Sequence, residues 1–201
     1  MKVRSTLVRS LVILVILCLS LACGFLYQTI WHRIDLENHP VRFAEFVTKY
    51  AEEYGVPEYI LYAVIKTESN FESNKLSEDG EVGLMQISPE TFSWLLTLTR
   101  EDLEPGILYD PETNIRYGAY MLSYLYTEYS RWNTVFAILY AGQETVDLWM
   151  TDRTLTDELG NLTTFPDVGT SAYVDTVNET VDTYKELYYS ELSSYHKEIH
   201  T

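Results

Sequence analysis

The hydrophobic pattern changes character once along the chain. From Leu11 to Trp31, "LVILVILCLSLACGFLYQTIW" carries no charged residue across 21 positions. At about 1.5 Å per residue, such a helix matches the ~30 Å hydrocarbon core of a bilayer. His32 to Pro40 reads as a short polar linker. Beyond it, apolar residues recur at helical spacing. "VRFAEFVTKYAEEYG", Val41 to Gly55, keeps that period and stops at a glycine suited to the turn after a helix. Pro57 suits the first turn of a second helix, "PEYILYAVIKTES". Ser88-Pro89 and Asp110-Pro111 each pair a capping side chain with a proline at the first helical position, so two more helices start there. "RWNTVFAILYAG" predicts an apolar helix ended by Gly142, and "GQETVDLWM" begins another. Ser171 to Tyr195 carries Tyr173, Val177, Val181, Tyr184, Tyr188 and Leu192 on one face, a long last helix. Alternating strand patterns are scarce. The predicted class is all-α: six or seven helices in one domain, behind one N-terminal transmembrane helix.

The flanks of the apolar run set its reading. Lys2, Arg4 and Arg9 precede it, which places the N-terminus in the cytoplasm and the rest of the chain outside. Two rivals stay open: a cleaved signal peptide with Ala22-Cys23-Gly24 as its processing site, and lipid attachment at Cys23. All three readings export the remainder. The expected division is therefore 1–34 for the cytoplasmic stub, anchor and start of the linker, and 35–201 for an extracytoplasmic domain. Both cysteines, Cys18 and Cys23, lie in the apolar run, so the exported part has neither disulfides nor thiol chemistry.

Charge narrows the partners. The chain has 30 acidic against 14 basic residues, a net charge of −16. Such a surface repels DNA, RNA and anionic headgroups, which disfavours a nucleic-acid role. The 17 tyrosines suit the boundary of a core and a cleft that stacks on ring-shaped ligands.

One acidic residue stands out by position. On the second helix Ile60, Val64 and Glu68 are spaced i, i+4, i+8, so Glu68 extends the apolar stripe at the helix's C-terminal end. Burial and the negative end of the helix dipole both disfavour its ionisation. A carboxyl group with a raised pKa can give a proton near neutral pH and later take one back.

The residues after it form a recognisable series: Glu68-Ser69-x-Phe71, then Ser77-x-x-Gly80-x-x-Gly83-Leu84-Met85-Gln86, then Pro89-x-Thr91. It continues through "YDPETNIRYGAYML", "FAILYAG" and "SAYVDTV". The series resembles the signature of the lytic transglycosylases of the soluble (SLT) type, over roughly residues 41 to 185. The resemblance implies a lysozyme-like, goose-type helical domain acting on the glycan strands of peptidoglycan, with no metal and no cofactor. It implies that Glu68 protonates the oxygen of the β-1,4 bond between N-acetylmuramic acid and N-acetylglucosamine. Glu68 would then deprotonate the C6 hydroxyl of the same muramic acid, which closes on C1 as a 1,6-anhydro sugar. Ser77 would bind the N-acetyl group or orient Glu68, Met85 and Gln86 would line the cleft, and Tyr173 would steady Glu68 or the sugar. Three departures accompany these matches. Tyr140 stands where the family usually has a sugar-contacting asparagine. Gly169-Thr170-Ser171-Ala172-Tyr173-Val174 replaces a Glu-Thr-Arg-x-Tyr-Val series, and Glu81 stands where a small residue is common.

Other chemistry is thin. His196 and His200 share a helix face without a third metal ligand nearby, and Asn161-Leu162-Thr163 and Asn178-Glu179-Thr180 are short enough to match glycosylation triplets by chance. Three functions fit these residues. The first is a membrane-anchored lytic transglycosylase serving wall growth, a secretion apparatus or spore development. The second is a glycan-binding or scaffold homologue without turnover, and the third a muramidase that hydrolyses the same bond.

Overall fold

Four of the helices stop where the backbone turns left-handed, at Gly55, Asn70, Arg100 and Ser130. The computed structural model describes residues 2–189. It separates into two compact units, Met1–Pro40 and Val41–Thr201. In the first unit, α1 runs Lys2–Asn38. Its stretch Ile13–Asn38 is long and apolar enough, by length and composition, to cross a membrane. The expected linker from His32 is thus helical as far as Asn38. No glycine or proline occurs between His32 and Asn38, and Pro40 is the first residue that bars continuation.

The second unit is helical, and among its described residues there is no strand. α2 (Ala44–Tyr54) ends at Gly55, whose φ of 68° lets its N–H reach back to Ala51. α3 (Glu58–Ser69) follows, then an irregular loop, α4 (Pro89–Thr99) and a 3-10 turn at Pro105–Tyr109. α5 (Pro111–Tyr129), α6 (Trp132–Ala141), α7 (Gln143–Met150) and α8 (Val168–Tyr188) complete it. The caps at Ser88 and Asp110 form as their sequences predict: their side chains accept from Thr91 N and Thr113 N. α8 starts earlier than the expected Ser171, because Asp167 accepts from both the amide and the hydroxyl of Thr170 and opens the helix at Val168. The predicted end of this helix at Tyr195 lies outside the described residues, as do His196 and His200. Residues 151–167 are a mostly exposed excursion.

α3 is the central element. Ile60 through Ile65 are all buried, and the helix packs on α8 and α2. Buried tyrosines join it to α8, with Tyr62 stacked on Tyr184 at 5.4 Å. α5 packs against α2 and α6, and α6 against α8, so the C-terminal end of α3 opens onto a cleft that the later helices frame. Removing the two hydrogen bonds that Thr113 donates to Asp110, with Asp110→Ala, is expected to cost about 1 kcal/mol. Urea unfolding followed by circular dichroism measures it.

Candidate active site

α3 ends abruptly. Asn70 caps it at φ 50°, and Phe71 follows at φ 65°. A bulky side chain in the left-handed region is strained by roughly 1–3 kcal/mol. Burial of the Phe71 ring against Tyr62 offsets that strain. The two left-handed residues swing the chain away from the helix axis directly after Glu68-Ser69. The last helical carboxylate is thereby left at the head of a cleft instead of inside a continuing helix.

The facing wall is the loop from Lys75 to Ile87, folded on itself by backbone bonds from Gly83 N to Lys75 O (2.9 Å) and between Val82 and Ile87 (3.0 and 3.1 Å). Asn114 of α5 holds it from behind. Its side chain, fully buried, donates to Val82 O and Leu108 O (both 2.9 Å) and accepts from Met85 N (2.8 Å). Gly83, at φ 81°, leaves no room for a side chain: a Cβ there would lie 2.3 Å from Asn114 Nδ2 and 2.6 Å from Leu108 O. Gly118 is needed for the same reason, since a Cβ would lie 2.1 Å from Met85 Sδ. Gln86 completes the turn at φ 46°, with its side-chain amide donating to Gly83 O at 2.7 Å.

Between these walls is a cavity of about 170 Å³. Glu68, Glu81, Met85 and Gln86 line it, with Trp94 of α4 and Leu139 of α6 among the apolar and aromatic contributors. Glu68 is only partly exposed, and the phenol of Tyr173 donates to its Oε1. Desolvation pushes the Glu68 pKa up from 4.5 to about 7. The Tyr173 bond and Lys75 pull it down, and the nearby Glu81 adds to the rise. Burial and the Glu68 charge hold the Tyr173 phenol far above its ordinary pKa, so it remains a donor across neutral and alkaline pH.

Of the six site residues expected from sequence, the structure brings five together. Glu68, Met85 and Gln86 line the cavity, Tyr173 bonds Glu68, and Tyr140 packs its ring on Tyr173 with centroids 5.3 Å apart. Ser77 stands one step back from the cavity, where its hydroxyl accepts from the amide of Glu81 at 3.0 Å. Sequence reasoning missed Asn114 as the brace of the loop. Its one local signal is a polar residue at the head of the face that buried Tyr117, Gly118 and Met121 continue. Among the described residues no group of His, Cys, Asp and Glu could hold a metal ion.

Comparison with known proteins bears on the family and the fold. The profile of the transglycosylase SLT domain matches residues 45–157. The soluble lytic murein transglycosylase of Escherichia coli K12 is 30% identical over 125 residues, which are 60% of this chain and 19% of that protein. A membrane-bound lytic murein transglycosylase C of Yersinia pestis is 32% identical over 105 residues, 51% of this chain and 29% of its own length. In structure, the 70-kDa soluble lytic transglycosylase of E. coli superposes with a TM-score of 0.69 at 26% identity, covering 76% of this chain and 25% of that one. An inactive mutant of the Pseudomonas aeruginosa lytic transglycosylase Slt gives 0.65 at 26% identity, covering 74% and 24%. The chain thus spans about a fifth of the length of the soluble relative from E. coli K12.

Two measurements test the site as a structure. Asn114→Ala strands two buried carbonyls and an amide and is expected to cost roughly 3 kcal/mol or more in urea unfolding. Glu68 makes stability depend on pH. In the unfolded chain it ionises near 4.5, whereas the folded protein keeps the proton to about 7. Below pH 4.5 both states are protonated and there is no cost. As pH rises through 7 the folded state loses up to about 3 kcal/mol, at about 1.4 kcal/mol per pKa unit. Glu68→Gln is therefore expected to raise the unfolding midpoint at pH 8 and leave it unchanged at pH 4. An equal shift at both values would show that burial of the charge is not the cause.

Proposed function

The chain belongs to the transglycosylase SLT domain family, and on that premise we propose that it is a membrane-anchored lytic transglycosylase of peptidoglycan. It cleaves the β-1,4 bond between N-acetylmuramic acid and N-acetylglucosamine without water and leaves 1,6-anhydro ends. The observation that carries this reading is a carboxyl group held protonated up to about pH 7 in a cleft, with a phenol fixed on one of its oxygens.

The chemistry follows from that one group. Glu68, protonated, gives its proton to the glycosidic oxygen as the C1–O bond breaks, and the leaving sugar departs as an alcohol. The carboxylate so formed regains solvation from the Tyr173 hydroxyl, which binds the charged form better than the neutral one. It then accepts the proton of the C6 hydroxyl while that oxygen bonds to C1, which returns Glu68 to its starting state. Met85, Gln86 and Tyr140 form the walls along which the sugar chain lies, and Ser77 fixes the turn that carries the far wall.

α1 is the anchor in this reading. Its composition and length suit one crossing, and the membrane-bound Yersinia relative keeps the same class of enzyme at a membrane. Three positive charges precede the apolar run and Arg33 alone lies just beyond it, a balance that favours a cytoplasmic N-terminus. Residues 35–201 then lie on the outer side, where glycan strands are met.

The test is digestion of purified sacculi by the full chain in detergent, with the products read by mass spectrometry. Anhydro-muropeptides are expected from the wild type and none from Glu68→Gln, which keeps its fold. Persisting cleavage by that variant would remove Glu68 from the mechanism. The rate is expected to fall as pH rises through about 7, where Glu68 loses the proton it must give. Tyr173→Phe removes a bond that lowers the Glu68 pKa and should move that limb to higher pH.

A further inference from the structure

The single-carboxyl reaction leaves Glu81 unused, although it shares the cavity with Glu68. Its backbone is fixed on both sides. Ser77 N donates to Glu81 O (2.9 Å), Glu81 N donates to Ser77 Oγ (3.0 Å), and Gly80 N closes the turn onto Ser77 O (3.1 Å). The next residue, Val82, pairs with Leu76 and Ile87 in locally extended backbone. Neighbouring side chains in such a segment point to opposite sides. Val82 is buried in the core, so Glu81 faces the cleft. No ion pair among the described residues ties its carboxylate up. A solvated glutamate would avoid a half-buried place beside a second carboxyl group, where the two oppose each other's ionisation.

We propose that Glu81 is a second catalytic carboxylate, which takes a proton from a water molecule in the cleft so that the enzyme also hydrolyses the bond it cleaves by ring closure. This rests on the reading of Glu68 given above. In the hydrolytic branch, Glu68 gives its proton to the glycosidic oxygen, which keeps the electron pair of the breaking C1–O bond. The oxygen of water bonds to C1 and its proton passes to Glu81. The product is a muramic acid with a free reducing end, and proton exchange with solvent resets both carboxyls. Glycosidases that use water need this division between an acid and a base. The cavity, at about 170 Å³, is several times the volume that one water needs and is lined by both carboxyls. Burial pushes the Glu81 pKa up and Asp79 adds to the rise, whereas its bond to Ser77 and the charge of Lys75 pull it down; Glu81 is the less deeply buried of the two carboxyls, which suits it to be the one that is ionised. A chain that partitions in this way produces both kinds of glycan end from one active site.

The experiment is the same digestion performed in water enriched in oxygen-18. The full-length wild type is compared with Glu81→Gln and Glu81→Ala, each checked for fold by circular dichroism. The wild type is expected to yield anhydro ends together with reducing ends that carry the heavy oxygen. In both variants the ratio of labelled reducing ends to anhydro ends is expected to drop at least about tenfold. Because Glu68 serves both branches, the ratio isolates Glu81 from any change in overall rate. Anhydro ends alone from the wild type, or an unchanged ratio in both variants, would overturn the proposal and leave the transglycosylase reading standing. Labelled reducing ends alone would overturn the partition between two products and remove the transglycosylase reading. Uncut sacculi would remove both.

Discussion

The cleft depends on the side chain of Asn114. One buried amide satisfies three backbone groups that the turn from Val82 to Met85 and the 3-10 segment would otherwise leave without partners. Each such group, stranded away from water, costs roughly 1–3 kcal/mol, more than a typical hydrogen bond contributes. The loop is thereby held against α5 with almost no freedom, and two glycines, Gly83 and Gly118, give the close approach that the arrangement needs. Opposite, α3 is fixed by its own burial. The distance across the cleft is set by two rigid bodies, neither of which relies on an exposed loop for its position.

That rigidity lets a carboxyl group remain in a poor place. Glu68 loses hydration, and among the described residues one hydroxyl and no cation bonds its carboxylate oxygens. A mobile site would relax and admit water, and the pKa would fall back towards 4.5. Under the proposed mechanism, proton donation and stability pull against each other at this residue. The interaction that would best relieve the fold, a positive partner on Glu68, is the one that would strip it of its proton. Lys75 illustrates the compromise: its ammonium group lies close, but it is bonded to the backbone carbonyl of Glu68 instead of the carboxylate.

Much of this was legible in the sequence because it is written in local patterns. The capping pairs at Ser88 and Asp110 mark two helix starts to the residue, and the period of "PEYILYAVIKTES" places Glu68 on the apolar stripe. What local patterns do not carry is side-chain reach. Asp167 opens α8 through a bond to Thr170, but without a following proline the same residue types pass for loop. The brace from Asn114 to Met85 joins residues far apart in the chain, and nothing in the spacing of either segment requires it. The inward face of Glu81 depends on the pairing of Val82 with Ile87, an extended pattern too short to register as a strand.

The contacts around Tyr140 join two of the departures from the family pattern into one. Taken separately, a tyrosine in place of a sugar-contacting asparagine and a glycine in place of glutamate at 169 both read as losses. In space they are a matched pair. The Tyr140 hydroxyl occupies the place where any side chain at 169 would begin, since a Cβ there would lie 2.4 Å from it. With that room, the Tyr140 ring lies against Tyr173, and Tyr173 bonds Glu68. An aromatic contact of this kind contributes about 0.5–1.5 kcal/mol beyond the area it buries, enough to favour one orientation of the Tyr173 ring. Tyr140 is still half-exposed, so its outer face remains free to meet a ligand while its inner face supports the phenol. The asparagine of the family pattern is exchanged for an aromatic wall, and Glu68 keeps its phenol partner through a different set of atoms.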